Sequence, residues 1–170
     1  MNGHPGGEAH TRRMLMLADL PAGASILDMG GGGGEAGKLM HSLGYKATGI
    51  DLEPRSEGVA QGDFLHMPYP GGCFDAVLSQ CSFFVSGDVS GALREAHRVL
   101  KSGGKLLLSD VFFTEPAPLL DRAGFEVLQS EDMTDTWREY YLEALWRGDG
   151  CGCEIPRGKC KYWLIIAGKV

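Results

Sequence analysis

The residues from Ile26 to Glu35 combine two acidic side chains with a run of five glycines (ILDMGGGGGE). Apolar residues typical of a strand lead to Asp28, and Glu35 follows the last glycine of the run, Gly34. Consecutive glycines cost conformational entropy and contribute no side-chain packing, so they indicate a sharp turn that another group must approach closely. After the first strand of an α/β sheet, this pattern predicts a loop that binds a nucleoside cofactor.

Two spacings fit the same glycines. A D-x-G-x-G-x-G pattern beginning at Asp28 matches loops that bind S-adenosylmethionine (SAM), whereas a G-x-G-x-x-A pattern beginning at Gly31 matches the dinucleotide fingerprint. A dinucleotide places its pyrophosphate at the helix N-terminus, where Asp28 and Glu35 would repel it and where no basic residue precedes Lys38. SAM carries no phosphate and brings an ammonium and a sulfonium group, so the acidic loop favours SAM.

Two further acids follow predicted strands. Asp51 comes directly after an apolar segment and can accept hydrogen bonds from both ribose hydroxyls, which would serve NAD as well as SAM. Asp63 follows a short third strand and can accept a hydrogen bond from the adenine amino group, while Phe64 can cover the adenine ring. The alternative for Asp63 is a loop acid that caps a turn.

Strands and helices alternate along the chain. Strands are predicted at 25–28, 46–50, 59–61, 74–79, 105–111, 125–129 and 162–167, and helices at 10–19, 35–43, 88–101, 116–122 and 134–147. This alternation predicts a single α/β domain with a Rossmann-like, mostly parallel open sheet and helices on both faces. Residues 1–9 are predicted to be disordered, 10–24 to form a leading helix and loop, and 131–159 to form an insert between the last two strands.

Four segments in order, ILDMGGGGGEAG, TGIDLEP, QGDFLHMPYPGGCFDAVLSQCSFF and ALREAHRVLKSGGKLLLSDV, resemble the class I SAM-dependent methyltransferases. The resemblance covers about residues 25–130 and is strongest to the small type 11 group akin to ubiquinone and menaquinone methylases. It implies about seven strands, with the last one antiparallel and between strands five and six. The cofactor-binding residues, implied by this resemblance or by the acidic loop, are Asp28, Gly30, Gly31, Gly32, Gly34, Asp51, Leu52, Asp63, Phe64, Gln80 and Cys81.

The chain departs from this family pattern in three respects. It has only 170 residues, it carries little N-terminal structure to close over a substrate, and the connection after the second strand is too short for a full helix. A homodimer, or a partner subunit, is therefore expected to complete the site. His10, Arg12 and Arg13 precede the core, and one of them could reach the methionine carboxylate of SAM, the alternative being a solvated helix end.

Methyl transfer from a sulfonium is an in-line displacement that depends mainly on positioning, with S-adenosylhomocysteine as the product. A base is needed only when the acceptor must lose a proton, and we identify no catalytic residue from the sequence. If strand six is parallel and strand seven antiparallel, residues 131–159 connect them at the carboxyl edge, where α/β sheets bind ligands. Candidate acceptor contacts are therefore Ser82, Phe83, Trp137 and Tyr141, although the aromatic residues also fit ordinary packing.

Cysteines converge on the same edge of the predicted sheet. Cys81 ends the fourth strand, Cys160 precedes the seventh, and Cys151 and Cys153 lie between them in the insert. Thiolates bind soft metals and metalloids, but the C-x-C-x6-C spacing is not a standard zinc pattern. No metal is therefore assigned, and unlinked thiols are the alternative to a soft ion or a metalloid acceptor.

The net charge of −6 argues against nucleic acid or an anionic membrane as the main partner. No apolar run approaches the roughly 20 residues that span a bilayer, and the first residues lack a signal-peptide pattern, so a cytoplasmic location is expected. The sequence therefore predicts an enzyme that transfers a methyl group from SAM to a small-molecule acceptor. The alternatives are a catalytically inactive SAM-binding module in a complex and an NAD(P)-dependent oxidoreductase.

Overall fold

The computed structural model describes residues 4–147 and 159–170. Its strands are β1 (Ser25–Met29), β2 (Lys46–Asp51), β3 (Val59–Gln61), β4 (Phe74–Gln80), β5 (Leu100–Phe112), β6 (Phe125–Asp132) and β7 (Lys161–Lys169). Its helices are α1 (Gly7–Ala18), α2 (Glu35–Ser42), α3 (Val89–Val99), α4 (Ala117–Arg122) and α5 (Thr134–Arg147).

The strands form one seven-stranded sheet in the order β3-β2-β1-β4-β5-β7-β6. Strands β1 to β5 pair in parallel, whereas β7 lies antiparallel between β5 and β6. This topology confirms the predicted α/β fold and the predicted place of the last strand. Because the strand order reverses between β1 and β4, the carboxyl ends of these two strands border the crevice in which open α/β sheets bind ligands.

Apolar residues cover both faces of the sheet. Successive side chains of a strand point to opposite faces, so Leu27 belongs to one buried cluster and Ile26 to the other. The first cluster packs against α3 and α4, and the second packs against α1 and α2. The central strands are therefore buried on both sides, and this burial fixes where their carboxyl ends lie.

The structure corrects the predicted boundary between α3 and β5 and the predicted start of α1. Helix α3 ends at Val99 instead of Lys101, because Leu100 pairs with Phe74 and starts β5. Helix α1 begins at Gly7, so part of the segment predicted to be disordered is helical. The connection from β2 to β3 contains no helix in the structure, as the sequence indicates.

Candidate functional site

The glycine loop after β1 is held against the end of β2. The amides of Gly30 and Gly31 both donate to the carbonyl oxygen of Ile50, at 2.9 and 3.1 Å. Gly30 has a φ of 84°, and a Cβ atom added to it would lie 2.0 Å from the Oγ of Ser82. Both observations require glycine at this position, since a side chain would collide with the segment that follows β4. Gly34 then adopts a left-handed conformation and directly precedes α2.

A cavity of about 440 Å³ lies beside this loop. Nine of its lining residues come from the loop or from the ends of β1, β2 and β4: Asp28, Gly30, Gly31, Gly32, Gly33, Asp51, Gln80, Cys81 and Ser82. The structure therefore brings together seven of the predicted cofactor residues and one predicted acceptor residue, Ser82. Gly34, Leu52, Asp63 and Phe64 are not among the described residues that line this cavity.

Carboxyl groups dominate the charge of this cavity. Glu8, Asp28, Glu35 and Asp51 line it, together with one guanidinium, that of Arg55. His4 also lines it, and burial lowers the pKa of this imidazole and favours its neutral form. The cavity is therefore suited to a ligand with positive charge and unsuited to a pyrophosphate.

Asp28 is the most unusual of these acids. It is only 4% exposed, and the hydrogen bonds found among the described residues leave its carboxyl without a donor. Burial, and then the nearby charges of Asp51 and Glu35, raise its pKa to about 7. An ionised carboxylate without a partner is costly to bury, so a cationic group of a ligand would relieve this cost.

Asp51 ties the loop to the end of β2. Its Oδ2 accepts the amide of Gly32 at 2.9 Å, and its Oδ1 accepts the amide of Glu53 at 2.9 Å. Each carboxylate oxygen has a second lone pair, so both can still accept a hydrogen bond from a ligand hydroxyl. The same side chain can therefore shape the loop and contact a ribose.

The residues predicted to surround adenine lie further along the sheet edge. Asp63 accepts the amide of Leu65 at 2.8 Å and contacts Nδ1 of His66 at 3.1 Å. The hydrogen bond from Leu65, followed by that from His66, lowers the pKa of Asp63 and keeps it ionised. Leu52 is 61% exposed, so its side chain is free to cover a bound ring.

Phe64 and Phe83 are core residues in the structure. Phe64 is 8% exposed and Phe83 is fully buried, and their ring centroids lie 5.9 Å apart. Phe83 therefore packs inside the domain, and its side chain does not reach solvent as an acceptor contact would. The residues after β4 form an apolar run whether Phe83 packs in the core or contacts an acceptor, so the sequence does not distinguish a core position from an acceptor contact.

Helix α1 contributes cavity residues that the sequence did not indicate. Gly7, Glu8 and Thr11 of α1 line the cavity, as does His4, which precedes the helix. The Thr11 hydroxyl donates to Oε1 of Gln80 at 3.1 Å. Arg12 and Arg13, which were candidates for contact with the methionine carboxylate, instead form ion pairs. Arg12 pairs with Glu8 within α1, whereas Arg13 pairs with Glu131 at the end of β6.

Asp110 organises the backbone that follows β4. It is 2% exposed and accepts the amide of Phe84 at 3.1 Å and that of Val111 at 2.8 Å. Burial raises its pKa to about 6, although backbone amides, including those of Ser82 and Phe83, oppose the shift. Sequence reasoning missed this residue because an acid within an apolar strand carries no signal of the distant amides that it accepts.

An aromatic cluster borders the cavity on the side of β7. Trp137, Tyr162 and Val111 are its buried members, and Cys81, Phe84, Met133, Tyr141 and Cys160 pack against them. The ring centroids of Trp137 and Tyr141 are 5.2 Å apart. Trp137 also lines a second, open cavity of about 830 Å³ at the ends of β5 and β7. The two predicted aromatic acceptor residues therefore lie together, one residue layer beyond Cys81.

The predicted cysteine cluster is described only in part. Cys160 and Cys81 both pack against the aromatic cluster, whereas Cys151 and Cys153 lie outside the described residues. Within residues 4–147 and 159–170, there is no group of three His, Cys, Asp or Glu side chains that could hold a metal ion. The same part of the chain contains no helix that is long and apolar enough to cross a membrane.

A family model described as a methyltransferase domain matches residues 27–108. This match identifies residues 27–108 as a domain of the type 11 group of class I methyltransferases. It is 34% identical over 146 residues to the glycine/sarcosine/dimethylglycine N-methyltransferase of Actinopolyspora halophila, an alignment that covers 72% of this chain and 26% of that protein. The chain spans between 26% and 63% of the length of the first curated relatives that it matches.

Solved structures share the fold of this methyltransferase domain. Phosphoethanolamine N-methyltransferase 2 of Haemonchus contortus, solved with SAM, superposes with a TM-score of 0.76 at 19% identity, covering 98% of this chain and 53% of that one. The [4+2]-cyclase SpnF superposes with a TM-score of 0.72 at 23% identity, covering 96% of this chain and 82% of that one. At these identities the likeness shows the fold alone.

Proposed function

We propose that this chain binds SAM in the 440 Å³ cavity and transfers its methyl group directly to a small-molecule acceptor. The observation that carries the proposal is the buried carboxyl of Asp28, with no hydrogen-bond donor among the described residues, in a cavity with four acids and one guanidinium. A cationic amino acid group satisfies that carboxyl, whereas a pyrophosphate would be repelled. Family membership supports the same conclusion.

In this proposal, each part of the cavity holds one part of the cofactor. Asp28 and the glycine loop hold the methionine ammonium group, and Asp51 accepts the ribose hydroxyls. The adenine extends beyond this cavity along the sheet edge, toward Leu52, Asp63 and the backbone at Phe64, and the backbone at Gln80 and Cys81 borders the methyl group. Bound there, SAM supplies a methyl group already activated by its sulfonium, so the protein has to position the acceptor in line with the carbon–sulfur bond.

The experiment compares two ligands that carry a free amino acid group with two that carry a pyrophosphate. Titration calorimetry with SAM, S-adenosylhomocysteine, NAD and NADP is expected to give saturable binding for the first two only. Tighter binding of NAD or NADP would overturn the proposal in favour of an oxidoreductase. Turnover is then measured as release of S-adenosylhomocysteine with thiol, amine, phenol and metalloid acceptors.

A second candidate is a SAM-binding domain that does not transfer methyl groups. Cofactor binding without turnover of any acceptor in the panel would support this alternative.

The proposal also includes two features that rest on the sequence, a cytoplasmic location and a homodimer or partner subunit that completes the acceptor site. Light scattering on the purified protein tests for the homodimer.

A further inference from the structure

One charged group of the proposed cofactor has no assigned partner in the cavity. The methionine end of SAM carries an ammonium group, which Asp28 and the glycine loop hold in the proposed function, and a carboxylate. Of the basic residues that the sequence suggests for this carboxylate, Arg12 and Arg13 are engaged in ion pairs. The third, His10, is buried and is not among the described residues that line the cavity. The carboxylate therefore requires a partner from another part of the chain.

Arg55 is the candidate that the charges of the cavity indicate. Among the described residues that line the cavity, it alone carries a fixed positive charge. His4 also lines the cavity, but burial lowers the pKa of its imidazole and favours the neutral form. The remaining charged groups are the four acids, which would repel a ligand carboxylate unless a cation lay next to it. The guanidinium of Arg55 is therefore the group whose charge matches the anionic end of the cofactor.

Arg55 approaches the glycine loop from the connection between β2 and β3. Its amide donates to the carbonyl oxygen of Gly32 at 2.9 Å, which fixes the start of its side chain beside the loop. A Cβ atom added to Gly32 would lie 2.8 Å from Nη2 of Arg55 and 3.9 Å from Oδ2 of Asp51. The guanidinium therefore rests against bare backbone, close to the carboxylate that is proposed to accept the ribose hydroxyls.

The guanidinium of Arg55 is available to a ligand. In the described part of the chain its side chain forms no ion pair and no hydrogen bond, and the carboxylate of Asp51 accepts backbone amides instead. The N–H groups of a guanidinium form a planar fork that matches the two oxygens of a carboxylate. Because Arg55 is exposed, its side chain can turn toward a ligand without breaking a polar contact within the protein.

We propose that Arg55, from its position over Gly32, binds the methionine carboxylate of the cofactor while Asp28 binds the ammonium group. This inference rests on the proposed function and adds a residue that determines which cofactor is accepted. The two charges of the amino acid group then meet two side chains of opposite charge, one from β1 and one from the connection after β2. A ligand without the carboxylate would leave the guanidinium unpaired, so Arg55 would select for a cofactor with a complete amino acid group.

The test compares S-adenosylhomocysteine with its decarboxylated analogue, which keeps the ammonium group and lacks the carboxylate. Titration calorimetry measures the affinity of both ligands for the original protein, Arg55→Met and Arg55→Lys. Arg55→Met is expected to bind S-adenosylhomocysteine about five-fold or more weakly, because a charge-assisted contact is lost at an exposed position. The same variant is expected to bind the decarboxylated analogue at least as tightly as the original protein. Arg55→Lys keeps the charge without the planar fork and is expected to recover part of the lost affinity.

The second ligand separates carboxylate binding from packing. If Arg55 only packed against the glycine loop, its replacement would weaken both ligands by the same factor, since they differ only in the carboxylate. Lys38→Met is the matched control, because it removes the same charge from an exposed position on α2. Lys38 is not among the described residues that line the cavity, so this variant is expected to bind both ligands normally.

Three results would overturn the inference while cofactor binding stands. They are an equal loss of affinity for both ligands in Arg55→Met, an unchanged affinity of that variant for S-adenosylhomocysteine, and the same change in Lys38→Met as in Arg55→Met. Failure of the original protein to bind S-adenosylhomocysteine would instead overturn the proposed function itself.

Discussion

Replacing Asp28 by asparagine is expected to stabilise the free protein and to weaken cofactor binding. The pKa of Asp28 rises from 3.8 to about 7 in the folded protein. Since one pKa unit corresponds to about 1.36 kcal/mol, burying the ionised form costs roughly 4 kcal/mol. A raised carboxyl pKa means that the contribution of Asp28 to the unfolding free energy is most favourable below pH 4 and becomes less favourable as the pH rises from about 4 to about 7. Asp28→Asn should therefore match the original protein near pH 4 and exceed its stability at pH 8.

Cofactor binding should depend on pH in the opposite sense. A cationic ligand binds the ionised carboxylate, so binding competes with the proton on Asp28. With a pKa of about 7, the affinity for SAM should fall about eight-fold between pH 7.5 and pH 6, a range in which the amino group of the ligand is largely protonated. In Asp28→Asn this dependence should be lost, and the affinity at pH 7.5 should be at least about ten-fold weaker, as for loss of a charge-assisted hydrogen bond.

The assay is titration calorimetry at several pH values, in two buffers with different ionisation enthalpies. At pH 6.5, the original protein should release a proton on binding, and Asp28→Asn should not. His4 also lines the cavity, but any contribution from its protonation persists in the Asp28 variant and can be subtracted. The reasoning is refuted if the original protein binds SAM equally well at pH 6 and pH 7.5, or if Asp28→Asn binds it as tightly.

Three further substitutions test the architecture of the site. Gly30→Ala should abolish SAM binding and lower the melting temperature, because its Cβ would lie 2.0 Å from the Oγ of Ser82, whereas Gly37→Ala, a helical position with open space, should bind normally and be slightly more stable. Asp51→Ala should weaken SAM binding by more than about 1.5 kcal/mol, and unchanged affinity in calorimetry would contradict the ribose role. Asp110→Ala should lower the unfolding free energy by about 1–3 kcal/mol, because the amides of Phe84 and Val111 lose their acceptor, and denaturant titration measures this loss.

Strand and helix positions were largely predictable because each depends on a local pattern. The alternation of elements and the apolar runs of β4, β5 and β7 depend on burial alone, and the structure reproduces them. The end of α3 was misplaced because Leu100 has helical neighbours in sequence and a strand partner, Phe74, in space. The end of α3 is therefore decided by a strand pairing between residues that are far apart in the sequence.

The same distinction between local patterns and distant contacts decides which residues of the candidate site could be predicted. The glycine loop and Asp51 belong to short motifs at strand ends, so their residue types and spacing reveal them. The contribution of α1 was missed because it depends on Thr11 reaching Gln80, 69 positions away, and the residues before it contain the glycines and proline that usually indicate disorder. His10 illustrates the limit most clearly: only its burial against Tyr162, with Nε2 lacking a partner among the described residues, distinguishes it from a solvated histidine. Burial of this kind depends on contacts between distant residues, so the fold must be known before it can be recognised.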